Sequence, residues 1–207
     1  MLPLLTAMAA SYLAGSIPTA YLVVKWLKRG DVRTIGSGNV GATNVTRAAG
    51  LWAGAGVFAV DLAKGWLAAS VIAPALLHDP AQAVRLACGV LAVIGHTFPV
   101  FLKFKGGKGV ATTIGVLAGG APQVFWACLA AWAVAFALSR YVSVGSLAAA
   151  ATLPVMQILF ERPLTEVLLG TALAALIILR HRANITRLLQ GTEHHWTPKK
   201  STPENQP

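Results

Sequence analysis

Between Ile35 and Arg47 the chain reads IGSGNVGATNVTR, a run of glycines, hydroxyls and amides with almost no apolar surface and a guanidinium at its end. Gly36, Gly38 and Gly41 allow successive backbone N–H groups to converge into a nest for an anion. Ser37, Asn39, Thr43 and Asn44 surround that nest with neutral polar groups, and the fork of Arg47 matches phosphate geometry. These residue types suit the binding of a phosphorylated ligand at a membrane surface. Taken alone, the stretch serves equally well as a flexible connector, so the remaining polar clusters must decide.

A second cluster, GHTFPVFLKFKGGKGVAT, carries Gly107, Lys108 and Gly109 in a turn that leads into an apolar helix. Helix-start N–H groups and Lys108 make an anion site there, with Thr112 beside it. The turn is not a Walker A loop, because Gly109 follows the lysine and Leu102 stands in place of the first glycine. His96, near the end of the preceding apolar run, reads as a hydrogen-bonded structural residue or a secondary ligand contact. A third cluster, RHRANITRLLQGTEHH, supplies Asn184, Arg187 and Glu193. Glu193 is expected to hold an arginine from a neighbouring loop rather than to act as a base. Asp61 and Lys64, three residues apart inside an apolar run, share a helix face and are expected to pair structurally.

The elements that must carry these clusters are membrane helices. Of the 207 residues 56% are hydrophobic and only 12% are charged, and the mean hydropathy is +0.64. That composition excludes an ordinary soluble domain. The net charge of +10 does not point to nucleic acid, since the basic residues cluster at the ends of apolar runs, where they set orientation. Cys88 and Cys128 lie in separate apolar runs without metal-ligand or disulfide spacing.

Spans are expected at residues 2–27, 51–77, 81–102, 110–118, 123–138, 144–160 and 164–179. The fourth is short, about 14 Å against a hydrocarbon core of about 30 Å. Counting it as a span places every Lys and Arg except Lys64, Arg85 and Arg162 at cytoplasmic ends or loops, in keeping with the positive-inside bias. The fold expected is therefore an all-α membrane protein: a compact bundle of seven transmembrane helices, N-terminus outside, C-terminus cytoplasmic. Gly50 with Gly54 and Gly115 with Gly119 give small residues at four-residue spacing for close helix approach. Residues 1–196 form one domain on this reading, and 197–207 a disordered polar tail.

SGNVGATNVTR, GHTFPVFLKFKGGKGVAT and NITRLLQGTE, with the earlier GSIPTAYL and the intramembrane DLAKG, occur in an order that resembles the bacterial acyl-phosphate:glycerol-3-phosphate acyltransferase family. The resemblance runs from Gly15 to Glu193. It implies transfer of a fatty acyl group from acyl phosphate to the 1-hydroxyl of sn-glycerol 3-phosphate, giving lysophosphatidic acid and phosphate, the first acylation of phospholipid synthesis. By position, Ser37, Gly38, Asn39 and Arg47 match the family's first motif, Gly107, Lys108 and Gly109 its glycerol-phosphate loop, and Asn184 and Glu193 its third. Ser143, in YVSVGS, is expected as a further phosphate contact. The resemblance also implies a bacterial inner-membrane enzyme with its site at the cytoplasmic face, no metal or other cofactor, and no nucleic-acid partner. Membrane lipids surround it, and no obligate protein partner is evident, in keeping with a monomer.

Acyl phosphate is already activated, so the protein need only hold two phosphates, an acyl chain and a hydroxyl in line with the carbonyl. Oriented N–H groups, Lys108 and Arg47 would meet the developing charge. The chain has no His followed five residues later by Asp, the signature of acyl-CoA and acyl-carrier-protein dependent glycerolipid acyltransferases. Two rival readings are an organophosphate transporter, which calls for polar sites near the midplane, and a lipid-binding structural protein.

Overall fold

The first apolar run is not one helix. The computed structural model describes residues 1–28 and 30–196, and in it α1 (Leu2–Ser16) and α2 (Thr19–Lys28) are separated at Ile17 and Pro18. Pro18 has no N–H to continue the ladder and steers Ile17 out of helical geometry, to φ −56° and ψ 118°. The carbonyl of Ile17 accepts from Thr19 N at 3.0 Å and from Lys64 Nζ at 2.7 Å. Beyond Lys28 come a turn of 3-10 helix (Val32–Thr34), the Gly-rich loop, and the short α3 (Ala42–Ala49). Val24, Val32, Val45 and Val57 are buried together under that loop and fix it to the bundle.

α4 (Leu51–Leu67) continues through a π-helical segment (Ala68–Ile72) into α5 (Ala73–Leu77). Pro74 explains the π segment, since its ring displaces the preceding turn. Arg85 on α6 (Gln82–Thr97) clasps that segment, donating from Nε to Ala69 O at 3.0 Å and from Nη2 to Gly119 O at 3.2 Å. α7 (Val110–Gly120) is short, and α8 (Pro122–Ser139), α9 (Val142–Leu159) and α10 (Leu164–Arg180) follow, with α11 (Arg182–Leu189) at the end. Val93, Val116, Leu117, Val124, Leu153 and Leu173 from α6 to α10 make the central core. α4 and α7 cross backbone to backbone. A Cβ on Gly65 would lie 2.0 Å from Thr112 O, and one on Gly115 would lie 1.9 Å from Leu62 O. In lipid such close packing replaces the hydrophobic effect as the source of helix association.

All described elements are helical, without a strand among them. Five segments are long and apolar enough to cross a membrane: 2–28, 51–77, 82–102, 122–139 and 142–159. α10 and α11, bent by 54°, form a sixth candidate together, and α7 is apolar but only 11 residues long. The protein is thus an integral, multi-span membrane protein. The tail 197–207, expected to be disordered, lies outside the described residues.

The three basic residues that sit away from the other charges each have an internal partner. Lys64 pairs with Asp61 at 2.6 Å, with both side chains no more than 5% exposed, as the helix-face spacing predicts. Arg162 pairs with the buried Glu166 at 2.9 Å, and Arg85 is the clasp just described. A cation already bonded inside the bundle costs less at membrane depth than a bare one.

Candidate active site

The three sequence clusters converge on one cavity of about 420 Å³. Its polar lining is made by Ser37, Asn39, Thr43, Arg47, Lys108, Gly109, Ser143, Asn184, Arg187 and Glu193, and its apolar lining by Leu51, Phe58, Val110, Ile114, Leu129 and Trp132. Asp61 and His96 reach its floor.

Glu193 is the hub of the polar lining. Its Oε1 accepts from Ser143 Oγ at 2.9 Å and from Asn184 Nδ2 at 2.6 Å, and its Oε2 accepts from Arg187 Nε at 2.7 Å. Burial disfavours the carboxylate, but these three donors outweigh it and hold the Glu193 pKa below its ordinary value. The arginine it holds is Arg187 of its own cluster, six residues before it, and not one from another loop. Asn184 passes the arrangement on, since its Oδ1 accepts from Lys108 Nζ. Burial, only partly opposed by Glu193 and reinforced by Arg187, Arg47 and Arg180, pushes Lys108 down to about 8. Arg47 is half-buried, and desolvation lowers its pKa against the pull of Glu193. No hydrogen bond joins its guanidinium to another side chain among the described residues. Arg47, Lys108 and Arg187 thus outnumber Glu193, and Asp61, the other carboxylate in the lining, is already paired with Lys64, a surplus of positive charge that suits phosphate dianions.

Of the ligand contacts expected from sequence, Asn44 lines the cavity while also bracing the loop, and Gly107 lies off it. Asn44 spends its amide on the Gly-rich loop. Its Oδ1 accepts from Ser37 N at 3.0 Å, and its Nδ2 donates to Val32 O at 3.1 Å and Ile35 O at 2.9 Å. Gly36 must be glycine for this fit, because its φ is +58° and a Cβ there would lie 2.5 Å from Asn44 Oδ1. Gly38 turns the loop with φ +69° and does not line the cavity. Gly107 is locked on both sides, donating its N–H to His96 O at 3.1 Å and accepting from Arg180 Nε at 3.2 Å. Gly106 likewise accepts from Arg180 Nη2 at 3.0 Å. Thr112 faces α4 and also lies off the cavity, as does Lys64.

Arg180 therefore shapes the Lys108 turn, a role masked in the sequence because a basic residue after a last span is already accounted for by orientation. His181, buried, contacts Ile177 O through Nδ1 at 2.8 Å and also lines the cavity. Trp132 and Trp196 line it too, and nothing in their sequence context distinguishes them from other interfacial aromatics. Among the described residues no cluster of His, Cys, Asp and Glu has the makings of a metal site.

A family model described as glycerol-3-phosphate acyltransferase matches residues 5–191. The glycerol-3-phosphate acyltransferase 2 of Moorella thermoacetica is 48% identical over 191 residues, covering 92% of this chain and 96% of that protein. The glycerol-3-phosphate acyltransferase of Myxococcus xanthus is 49% identical over 185 residues, 89% of this chain and 95% of its own length. Among solved structures, the glycerol 3-phosphate form of PlsY, an integral membrane glycerol 3-phosphate acyltransferase, superposes with a TM-score of 0.87 at 40% identity. It covers 94% of this chain and 96% of that one. The lysophosphatidic acid form of PlsY gives 0.83 at 39% identity, with coverages of 94% and 95%.

Proposed function

From the premise that the chain belongs to the glycerol-3-phosphate acyltransferase family and is an integral membrane acyltransferase, we propose that it transfers an acyl group from acyl phosphate to the 1-hydroxyl of sn-glycerol 3-phosphate. The products are lysophosphatidic acid and inorganic phosphate. The observation that carries this reading is a single cavity whose lining combines three cations and the Gly-rich loop with apolar side chains. Arg47, Lys108 and Ser37 hold phosphate with Asn39 and Ser143, and the acyl chain lies along Phe58, Leu129 and Trp132. The forms of the solved relative with glycerol 3-phosphate and with lysophosphatidic acid support both the acceptor and the product.

Attack by the 1-hydroxyl on the acyl carbonyl forms the ester as the carbonyl–phosphate bond breaks, and the departing phosphate accepts the hydroxyl proton. Lys108 and Arg47 stabilise the charge that builds on the carbonyl and phosphate oxygens. Ser37 positions phosphate and forms no acyl-enzyme. In purified protein, acyl phosphate with radiolabelled glycerol 3-phosphate should yield labelled lysophosphatidic acid, and absence of that product sinks the reading. Quenching after donor alone should give no acyl-Ser37. A Ser37 adduct that forms and decays at the turnover rate would replace direct transfer by a two-step route.

The same reading places the chain in a bacterial inner membrane as a monomer with seven spans, α7 and the α10–α11 pair included. The N-terminus is then outside and the cavity at the cytoplasmic face. Cysteine at the exposed position 105 should react with an impermeant thiol reagent only from the cytoplasmic side, and cysteine at the exposed position 79 only from outside. Labelling of both from one side would overturn this topology.

A further inference from the structure

Behind the Lys108 turn lies a buried group that no step of the transfer uses. Asp61 and His96 touch the floor of the main cavity, and they also line a second cavity, of about 10 Å³, at the break between α1 and α2. Asp61 Oδ1 is fixed by Lys64 Nζ at 2.6 Å, and Lys64 is itself tied to Ile17 O at 2.7 Å. His96 Nδ1 lies 3.6 Å from the same carboxylate oxygen. The other edge of the ring faces the turn so closely that a Cβ on Gly107 would lie 2.1 Å from His96 Nε2. The carbonyls of His96 and Thr97 accept from the N–H groups of Gly107 and Gly106, each at 3.1 Å. His96 is thus a wedge between an immobile carboxylate and the backbone that presents Lys108. On the far side, Ser16 and Thr19 line the small cavity with buried hydroxyls that have no hydrogen-bond partner among the described residues. Its size suits one water molecule.

We propose that Asp61 and His96 are positioning residues for Lys108, and that one water in the small cavity joins this pair to the hydroxyls of Ser16 and Thr19. Asp61 favours the Nδ1–H tautomer and holds the plane of the ring, the ring sets the Gly106–Gly107 turn from behind, and the turn aims the ammonium. The role in catalysis rests on the reaction proposed above. The contact between ring and carboxylate does not.

The test is a double-mutant cycle with a spectroscopic arm. Gly107→Ala should lower kcat/KM for glycerol 3-phosphate by about 10²-fold, the effect of misplacing a reacting group by about 1 Å. His96→Ala removes the ring but keeps its carbonyl, so His96→Ala/Gly107→Ala should recover about tenfold over Gly107→Ala and melt at a higher temperature in detergent. A double variant no better than Gly107→Ala in either measure overturns the wedge. Asp61→Asn should raise KM for glycerol 3-phosphate more than it lowers kcat, and should shift the 15N resonances of the His96 imidazole. An unchanged imidazole spectrum overturns the proposal even where a glycine variant fails to fold. A wild-type protein that makes no lysophosphatidic acid would sink the proposed reaction, yet the melting and imidazole results would still decide the contact.

Discussion

Exchange of Lys108 for methionine is expected to lower kcat/KM for glycerol 3-phosphate by about 10²–10³-fold, the usual loss when one preorganised charge-stabilising donor is removed. Methionine keeps the length of the stem, so the cavity should retain its shape while losing the ammonium. The environment of Lys108 adds a second signature. Burial brings its pKa down to about 8, so the ammonium is present below that pH and is lost as the pH rises through it. The kcat/KM profile, which reports the free enzyme, should therefore fall on its alkaline side near pH 8. Lys108→Arg should move that limb upward, because guanidinium does not titrate there. An activity for Lys108→Met within about tenfold of wild type would remove Lys108 from the stabilising role.

Glu193→Ala should be the more damaging change to the folded protein. It leaves Ser143, Asn184 and Arg187 without their common acceptor, and losing hydrogen bonds to a charged group costs about 2–3 kcal/mol. Activity should fall by about 10²-fold as well, because Asn184 would no longer hold Lys108 in place. The sign of the pH dependence follows from the lowered pKa of Glu193. Its contribution to stability is fully present above the ordinary carboxylate value of 4.5 and fades as the pH falls below that toward the native value. Glu193→Gln, similar in shape, should flatten this acid dependence. Thermal melts of the detergent-solubilised variants between pH 3 and 7, about the range over which carboxylates titrate, check both statements. A Glu193→Ala protein that melts as wild type does would show that the hub adds nothing to the fold.

The polar clusters are visible in the sequence because each is an island of glycine, hydroxyl and charge between apolar runs, where such residues are costly unless used. Pairing of Asp61 with Lys64 follows from helix spacing, whereas the arginine that Glu193 holds comes from its own cluster and not from another loop. The division of labour within a cluster is not visible. Asn39 and Asn44 are the same residue type five positions apart, yet only the fold shows that Asn44 has spent its amide on Ser37, Val32 and Ile35. Gly107 reads as an anion-binding N–H until the loop folds and His96 O takes that hydrogen. Pro18 causes the break at Ile17, but the long apolar run around it reads as one continuous helix. The broken ladder is satisfied in part by Lys64, 47 residues away, and no local pattern carries that contact.

The brevity of α7 bears on how the chain is delivered to a bilayer. Eleven residues rise about 16 Å, near half the hydrocarbon thickness, so α7 carries too little apolar length to be retained by lipid alone. Only Ala121 separates it from α8, which leaves no slack for the two to leave the insertion machinery at separate times. They must partition as one unit. The carbonyl of Gly119, near the tip of that unit, meets a guanidinium synthesised earlier in the chain, because Arg85 already stands on α6. The order of synthesis thus supplies the donor before the acceptor arrives.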